Sequence, residues 1–283
     1  MSFRIFDTHI HIQPFHMMKP DVQRTFWLKK PNREELESYA DDPSKLLRRM
    51  DEDRIERVGL INYVSPDLMG FTDEVNDWML RYAAAEPGRL VPFGSVNPRF
   101  STDVGGYVQR LIDRGIKALK VHPPHQLFRA NAYLDSLPSL AELYERAQAA
   151  RIPVTVHTGT SVFPGARSRL GDPMDVDDVA VDFPKLTILL AHGGRPLWMD
   201  AAFFLVRRHP NVYLELSGIP PSKLLDYFPR LNEIADKTVW GTDWPSPGVM
   251  SMRRNVDEFV ALALDETSKR RILYDTAAAL FAA

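Results

Sequence analysis

What most limits the fold of this chain is the make-up of its short β-branched runs. Thr187-Ile-Leu-Leu-Ala191 is apolar throughout, without the polar alternation of a strand that has one wet face. Strands of that kind are covered on both sides, the condition of parallel strands joined by crossover helices. Eight such runs occur, at Phe3 to Ile12, Arg57 to Tyr63, Leu90 to Asn97, Ile116 to His122, Pro153 to Thr158, Thr187 to His192, Val212 to Ser217 and Thr238 to Asp243. Amphipathic stretches such as Leu140 to Ala150 and Ala201 to His209 lie between them. One (β/α)8 barrel takes about 250 residues, so eight β/α units use nearly all of the 283. An open doubly wound sheet would bring a Gly-rich phosphate-binding turn, and none is present. The expected architecture is α/β, a single TIM barrel over residues 1–283 whose last helix, Glu266 to Phe281, closes the ring.

Composition removes several classes of function. The 35 Lys+Arg balance 37 Asp+Glu and no basic run occurs, so nothing marks a nucleic-acid or anionic-membrane surface. The absence of cysteine excludes disulfides, thiolate metal sites and a cysteine nucleophile. The N-terminus runs straight into a core strand, and no apolar stretch approaches the roughly 18 residues of a membrane span. The expectation is a cytoplasmic protein with a small-molecule substrate. One connection is unusually long: residues 13–43 carry His16, Phe26, Trp27 and several prolines before helical periodicity resumes at Ser44 to Glu52. It leaves the end of the first strand and reads as a lid or oligomer contact, or as aromatic cover for the barrel rim.

Five of the runs end in a metal-type ligand: Asp7-Thr-His9-Ile-His11, Lys120-Val-His122, Val156-His157, Ala191-His192-Gly-Gly and Gly241-Thr-Asp243-Trp-Pro. In a β/α barrel these ends surround one mouth, where the chemistry is done. Residues two apart on a strand share a face, so His9 and His11 can chelate one ion, with His157 and Asp243 approaching from other strands. Three imidazoles and a carboxylate suit Zn²⁺, or Mn²⁺ as a second choice, one ion per chain. His192 either binds the ion or deprotonates water beside it. Asp243 can ligate through one oxygen and accept a proton through the other.

These segments, in this order and over residues 3 to about 281, resemble the amidohydrolase superfamily, specifically its amidohydrolase-related branch with aminocarboxymuconate semialdehyde decarboxylase and γ-resorcylate decarboxylase. The resemblance implies a divalent ion on His9, His11, His157 and Asp243, His192 as the activating histidine, and a homo-oligomer, expected as a dimer. Dinuclear members bridge two ions with a carboxylated lysine on strand 4, which makes Lys120 the candidate bridge; a core ion pair or substrate contact is the other reading of that residue.

Loops after the strands carry the substrate clues. Arg167 and Arg195 would bring guanidinium groups to the mouth, suited to a carboxylate; alternatively they, with Arg169, pair with the acidic run Asp172 to Asp182. His122 and His125 are candidate polar contacts, with loop anchoring as the other reading of His125. Trp244, Trp198, Trp240 and Phe163 are candidate walls for a flat substrate or simple packing. His16 can reach in from the lid, and His209 reads as a helix C-terminal partner. Three functions follow: a metal-dependent hydrolase of a lactone, amide or ester; a metal-dependent decarboxylase (carboxy-lyase) of an aromatic or muconate-type acid; or a non-catalytic binding barrel.

Overall fold

A computed structural model describes residues 3–282. Eight parallel strands stand in the order β1 to β8: Phe6–Ile10, Arg57–Leu60, Leu90–Gly94, Ala118–Val121, Val154–His157, Ile188–Ala191, Val212–Glu215 and Thr238–Val239. The expected runs all hold strands, each trimmed at its ends where the ladder gives way to loops. Every strand residue is buried except Arg57 and Tyr213, which stay partly exposed. That two-sided cover explains why the runs lack alternation. The ring closes between the ends of the sheet through backbone bonds from Thr8 N to Trp240 O (3.0 Å), Asp243 N to His9 O (2.8 Å) and His11 N to Trp244 O (2.7 Å). The result is the (β/α)8 barrel.

Helices start where the sequence supplies caps. Asp42 accepts from Ser44 N at 2.9 Å, with Pro43 in the first turn, and Asp103 accepts from Gly106 N at 2.9 Å. Each such cap contributes about 1 kcal/mol. The final helix is interrupted: Glu266–Arg270 and Thr276–Leu280 flank a π-turn at Arg271–Asp275. Within that turn the Ile272 carbonyl accepts from Trp240 N at 2.9 Å, so the helix is tied to the end of β8.

The long connection after β1 is more structured than its prolines suggest. It forms a 3-10 turn at Phe15–Met17 and helices at Pro20–Trp27 and Arg33–Asp41. Pro20 sits in a first turn, where its missing N–H costs nothing. Phe15, Phe26 and Trp27 pack on one another with centroids 4.8–5.4 Å apart. Tyr39 meets Trp244 at 5.8 Å, and Lys30 donates to the Ser246 carbonyl at 3.2 Å. This segment braces the loop after β8.

Candidate metal centre

The alternation of β1 turns His9 and His11 to the same side, and their Nε2 atoms are 3.3 Å apart. Asp243, just beyond β8, places Oδ1 3.1 Å from His11 Nε2 and 3.6 Å from His9 Nε2. Two ligands of an ion with bonds of 2.0–2.1 Å are themselves separated by about 3 Å, so the spacing fits. His157, the last residue of β5, has a buried Nε2 with no hydrogen-bond partner. Its ring centroid is 4.5 Å from that of His192, which follows β6. Among the described residues, His9, His192 and Asp243 offer ligand atoms within 4.8 Å of one another. His192 and Asp243 both have φ of 68°. A left-handed backbone costs about 1–2 kcal/mol in a non-glycine residue and is a mark of functional positions.

The contacts behind these side chains set their tautomers. His9 Nδ1–H donates to Glu215 Oε2 at 2.6 Å, leaving Nε2 as the lone-pair nitrogen on the Asp243 side. His192 Nδ1–H donates to the Ser217 carbonyl at 2.9 Å and leaves its own Nε2 free in the same way. Ser217 ties the two together, because its hydroxyl lies 3.1 Å from His9 Nδ1 and donates to Glu215 Oε2 at 3.0 Å. A ligating histidine held through its other nitrogen by a carboxylate or carbonyl is the usual support of a metal site. Glu215 and Ser217 did not stand out in the sequence, although an acid inside the apolar run Val212 to Leu216 is a visible anomaly. Asp7 has a similar supporting role: it accepts from His9 N (3.2 Å), Thr242 N (2.9 Å) and Thr242 Oγ1 (2.6 Å).

Burial holds the rings neutral. His9, His157 and His192 are each driven well below the ordinary histidine value, first by burial and then by the positive charge of Lys120 or Arg195. Asp243 moves the other way. Burial would raise it, but the His11 hydrogen bond and the Arg195 guanidinium hold it at about 2. Neutral imidazoles and an ionised carboxylate are the forms a divalent cation binds.

A cavity of about 240 Å³ opens over these groups, lined also by Tyr63, Lys120, His122, His125, Phe163 and Arg195. His125 is held between the Tyr63 and Ser161 hydroxyls, at 2.7 Å each. His122 stacks between His125 (3.7 Å, 11°) and His157 (3.9 Å, 18°). Arg195 Nε donates to the Gly218 carbonyl at 2.7 Å and one of its terminal nitrogens lies 3.7 Å from Asp243 Oδ2, so it pairs with the site rather than with Asp172 to Asp182. Arg167 and Arg169 are exposed and do not line the cavity. Trp244 is buried against Tyr39 and Trp240 against Phe259, leaving Phe163 as the aromatic wall among the expected four. No residue of the 13–43 segment lines the cavity, and His16 is exposed in a separate depression beside Trp78. His209 caps the helix Met199–Arg208 and bonds Asp177 at 2.6 Å.

The sequence pattern of the Amidohydrolase family matches residues 6–283. The chain belongs to the amidohydrolase family. Its members are enzymes, hydrolases and carboxy-lyases among them. No curated protein matches this amidohydrolase. Solved structures of the same fold include an uncharacterized TIM-barrel protein from Bordetella bronchiseptica (22% identity, TM-score 0.77, covering 99% of this chain and 98% of that one). A 5-carboxyvanillate decarboxylase from Novosphingobium aromaticivorans, complexed with manganese and 4-hydroxy-3-methoxy-5-nitrobenzoic acid, matches at 14% identity and TM-score 0.71, covering 100% and 97%. A probable 2-pyrone-4,6-dicarboxylic acid hydrolase from Acinetobacter baumannii, with citric acid bound, matches at 16% identity and TM-score 0.66, covering 99% and 100%. Among the described residues of this amidohydrolase, no helix is long and apolar enough to cross a membrane.

Proposed function

We propose that this amidohydrolase is a single-domain, metal-dependent hydrolase of a small carboxylate-bearing lactone, amide or ester. His9, His11, His157 and Asp243 hold one divalent ion, zinc or manganese, and His192 is the base. The observation that carries the reading is the pair of committed Nδ1 atoms. With His9 Nδ1 given to Glu215 and His192 Nδ1 given to Ser217, both rings keep the Nε2 lone pair near an ionised Asp243, and His11 Nε2 lies 3.3 Å from that of His9. The unpartnered Nε2 of His157 supports the same assignment.

A divalent ion held by His9, His11, His157 and Asp243 would supply Lewis acidity, making water a better nucleophile and a carbonyl more electrophilic. The protein supplies the rest. His192 Nε2 takes a proton from the attacking water as the new C–O bond forms, and returns it to the leaving oxygen or nitrogen when the acyl bond breaks. Its imidazolium is stabilised by the Ser217 carbonyl and hydroxyl, both 2.9 Å from Nδ1. Phe163 and the stacked His122 and His125 wall the cavity. Lys120 and Arg195 outnumber Asp243 among its charged lining groups, which favours an anionic substrate.

The test begins with metal content by inductively coupled plasma mass spectrometry on protein purified without chelator. About one equivalent is expected in the wild type and none in His157→Ala or Asp243→Ala. A protein that stays metal-free after reconstitution with zinc or manganese overturns the reading. Lactones and esters bearing a carboxylate are then screened for release of acid. The rival reading is a carboxy-lyase, favoured by the shared fold with a manganese-bound decarboxylase. Carbon dioxide among the products would establish it in place of hydrolysis.

A further inference from the structure

Several buried side-chain polar atoms have no hydrogen-bond partner, and two of them, on β4 and its end, belong to residues that line the cavity. Lys120 is 1% exposed and its Nζ has no hydrogen-bond partner. His122, two residues on, has a buried Nδ1 that is also unpartnered. Both side chains line the cavity over the candidate metal ligands. A buried ammonium gives up its hydration, and without a partner nothing replaces it.

The acids that face Lys120 are already engaged. Glu215 accepts from His9, Ser217 N and Ser217 Oγ, while Asp243 accepts from His11 and from Ser246 Oγ at 3.1 Å. Arg195, the other cation of the cavity, is turned to the Gly218 carbonyl at 2.7 Å and the Thr160 carbonyl at 3.5 Å, where it braces two loops. Lys120 is therefore the lining cation whose charged nitrogen has no hydrogen-bond partner at all. His122 complements it with a buried ring nitrogen, Nδ1, that has no partner of its own and can carry the ring's proton in one neutral tautomer. Its plane is fixed by the stacks on His125 and His157.

We infer that Lys120 Nζ and His122 Nδ1–H together form the seat for the substrate's carboxylate. The inference rests on reading the site as one for carboxylate-bearing substrates, and goes beyond it by naming the residues that recognise the anion and by assigning Arg195 to bracing. It also gives Lys120 a use as a free amine rather than as a carboxylated bridge between two ions.

Benzoate is the probe, with benzamide as its uncharged counterpart, titrated into the full chain as purified and read by calorimetry. Benzoate binds the wild type at least about tenfold more tightly than benzamide, and Lys120→Met removes that preference, the range expected for a charge-assisted bond. Metal content measured on the same variant shows that the ion site survives the change. A second measurement needs no substitution. Cyanate carbamoylates the Lys120 amine in the wild type, read by peptide mass spectrometry, and benzoate slows that labelling while benzamide does not. Equal binding of the two probes, unchanged preference in Lys120→Met, or a carbamate carbon on Lys120 after equilibration with ¹³C-bicarbonate overturns the seat. Metal content and acid release are separate readouts, so a protein that holds its ion and hydrolyses esters yet ignores the charge of benzoate refutes this proposal and leaves the hydrolase reading intact.

Discussion

At the scale of single residues, the acids behind the site govern it as much as the ligands do. Glu215→Gln keeps the size of the side chain but takes the charge from the acceptor of His9 Nδ1–H. Loss of such a supporting carboxylate lowers metal affinity about 10–100-fold. Competition against a chromophoric chelator measures this, and an affinity equal to wild type would show that Glu215 does not act through His9. Asp7 gives a pH signature. Burial pushes its carboxyl up to about 7 against the opposing bonds from Thr242 and His9. A buried acid raised in this way favours the folded state most when protonated: its contribution is full below the ordinary value of 3.8 and is lost as pH rises through about 7. Asp7's contribution to the melting temperature of the chelator-treated wild type is expected to fall between about pH 4 and about pH 7 and to level off above that. Asp7→Asn mimics the protonated acid, accepting through Oδ1 and donating to Thr242 Oγ1, so its profile is expected to be flatter over that interval. Parallel profiles for the two proteins would remove Asp7 as the source.

At the scale of elements, the barrel leaves almost no room where its strands converge on the site. A Cβ at Gly241 would collide with Glu215 Oε1 and lie 2.9 Å from the His9 Cβ. Gly241→Ala is expected to cost about 1–3 kcal/mol of stability by overpacking, read by urea denaturation, and to lower metal content because it displaces both His9 and its partner. Full metal occupancy in that variant would mean that the loop absorbs the methyl group elsewhere. Strands were legible because two-sided burial writes itself as unbroken apolar runs, and the proposed ligands His9, His11, His157 and Asp243 stood out because they lie at or near the ends of such runs. The supporting groups were not. Glu215 is the last residue of β7 and Ser217 lies just beyond it, and their importance comes from a histidine more than 200 positions away. The helix at Pro20–Trp27 was obscured because a proline that starts a helix looks, in a bare sequence, like one that breaks it. Trp244 and Arg167 lie in the loops that follow β8 and β5, but the course of those loops keeps both out of the cavity lining.

At the scale of the whole molecule, the proposed ion, held by strands β1 and β5 and the turn after β8, would bind only the folded chain. At about a thousand times its dissociation constant it adds about 4 kcal/mol, equivalent to roughly 10 °C in melting temperature for a chain of this size. Zinc or manganese is expected to raise the melting temperature of chelator-treated wild type by that order and to leave His157→Ala unmoved. An unchanged wild type would argue against a site spanning the barrel. The closure of the ring through Asp243 N and His9 O has a consequence for biosynthesis. His9 emerges from the ribosome more than 200 residues ahead of its partners at positions 215 and 243. A nascent chain thus exposes its histidine pair long before it owns a pocket.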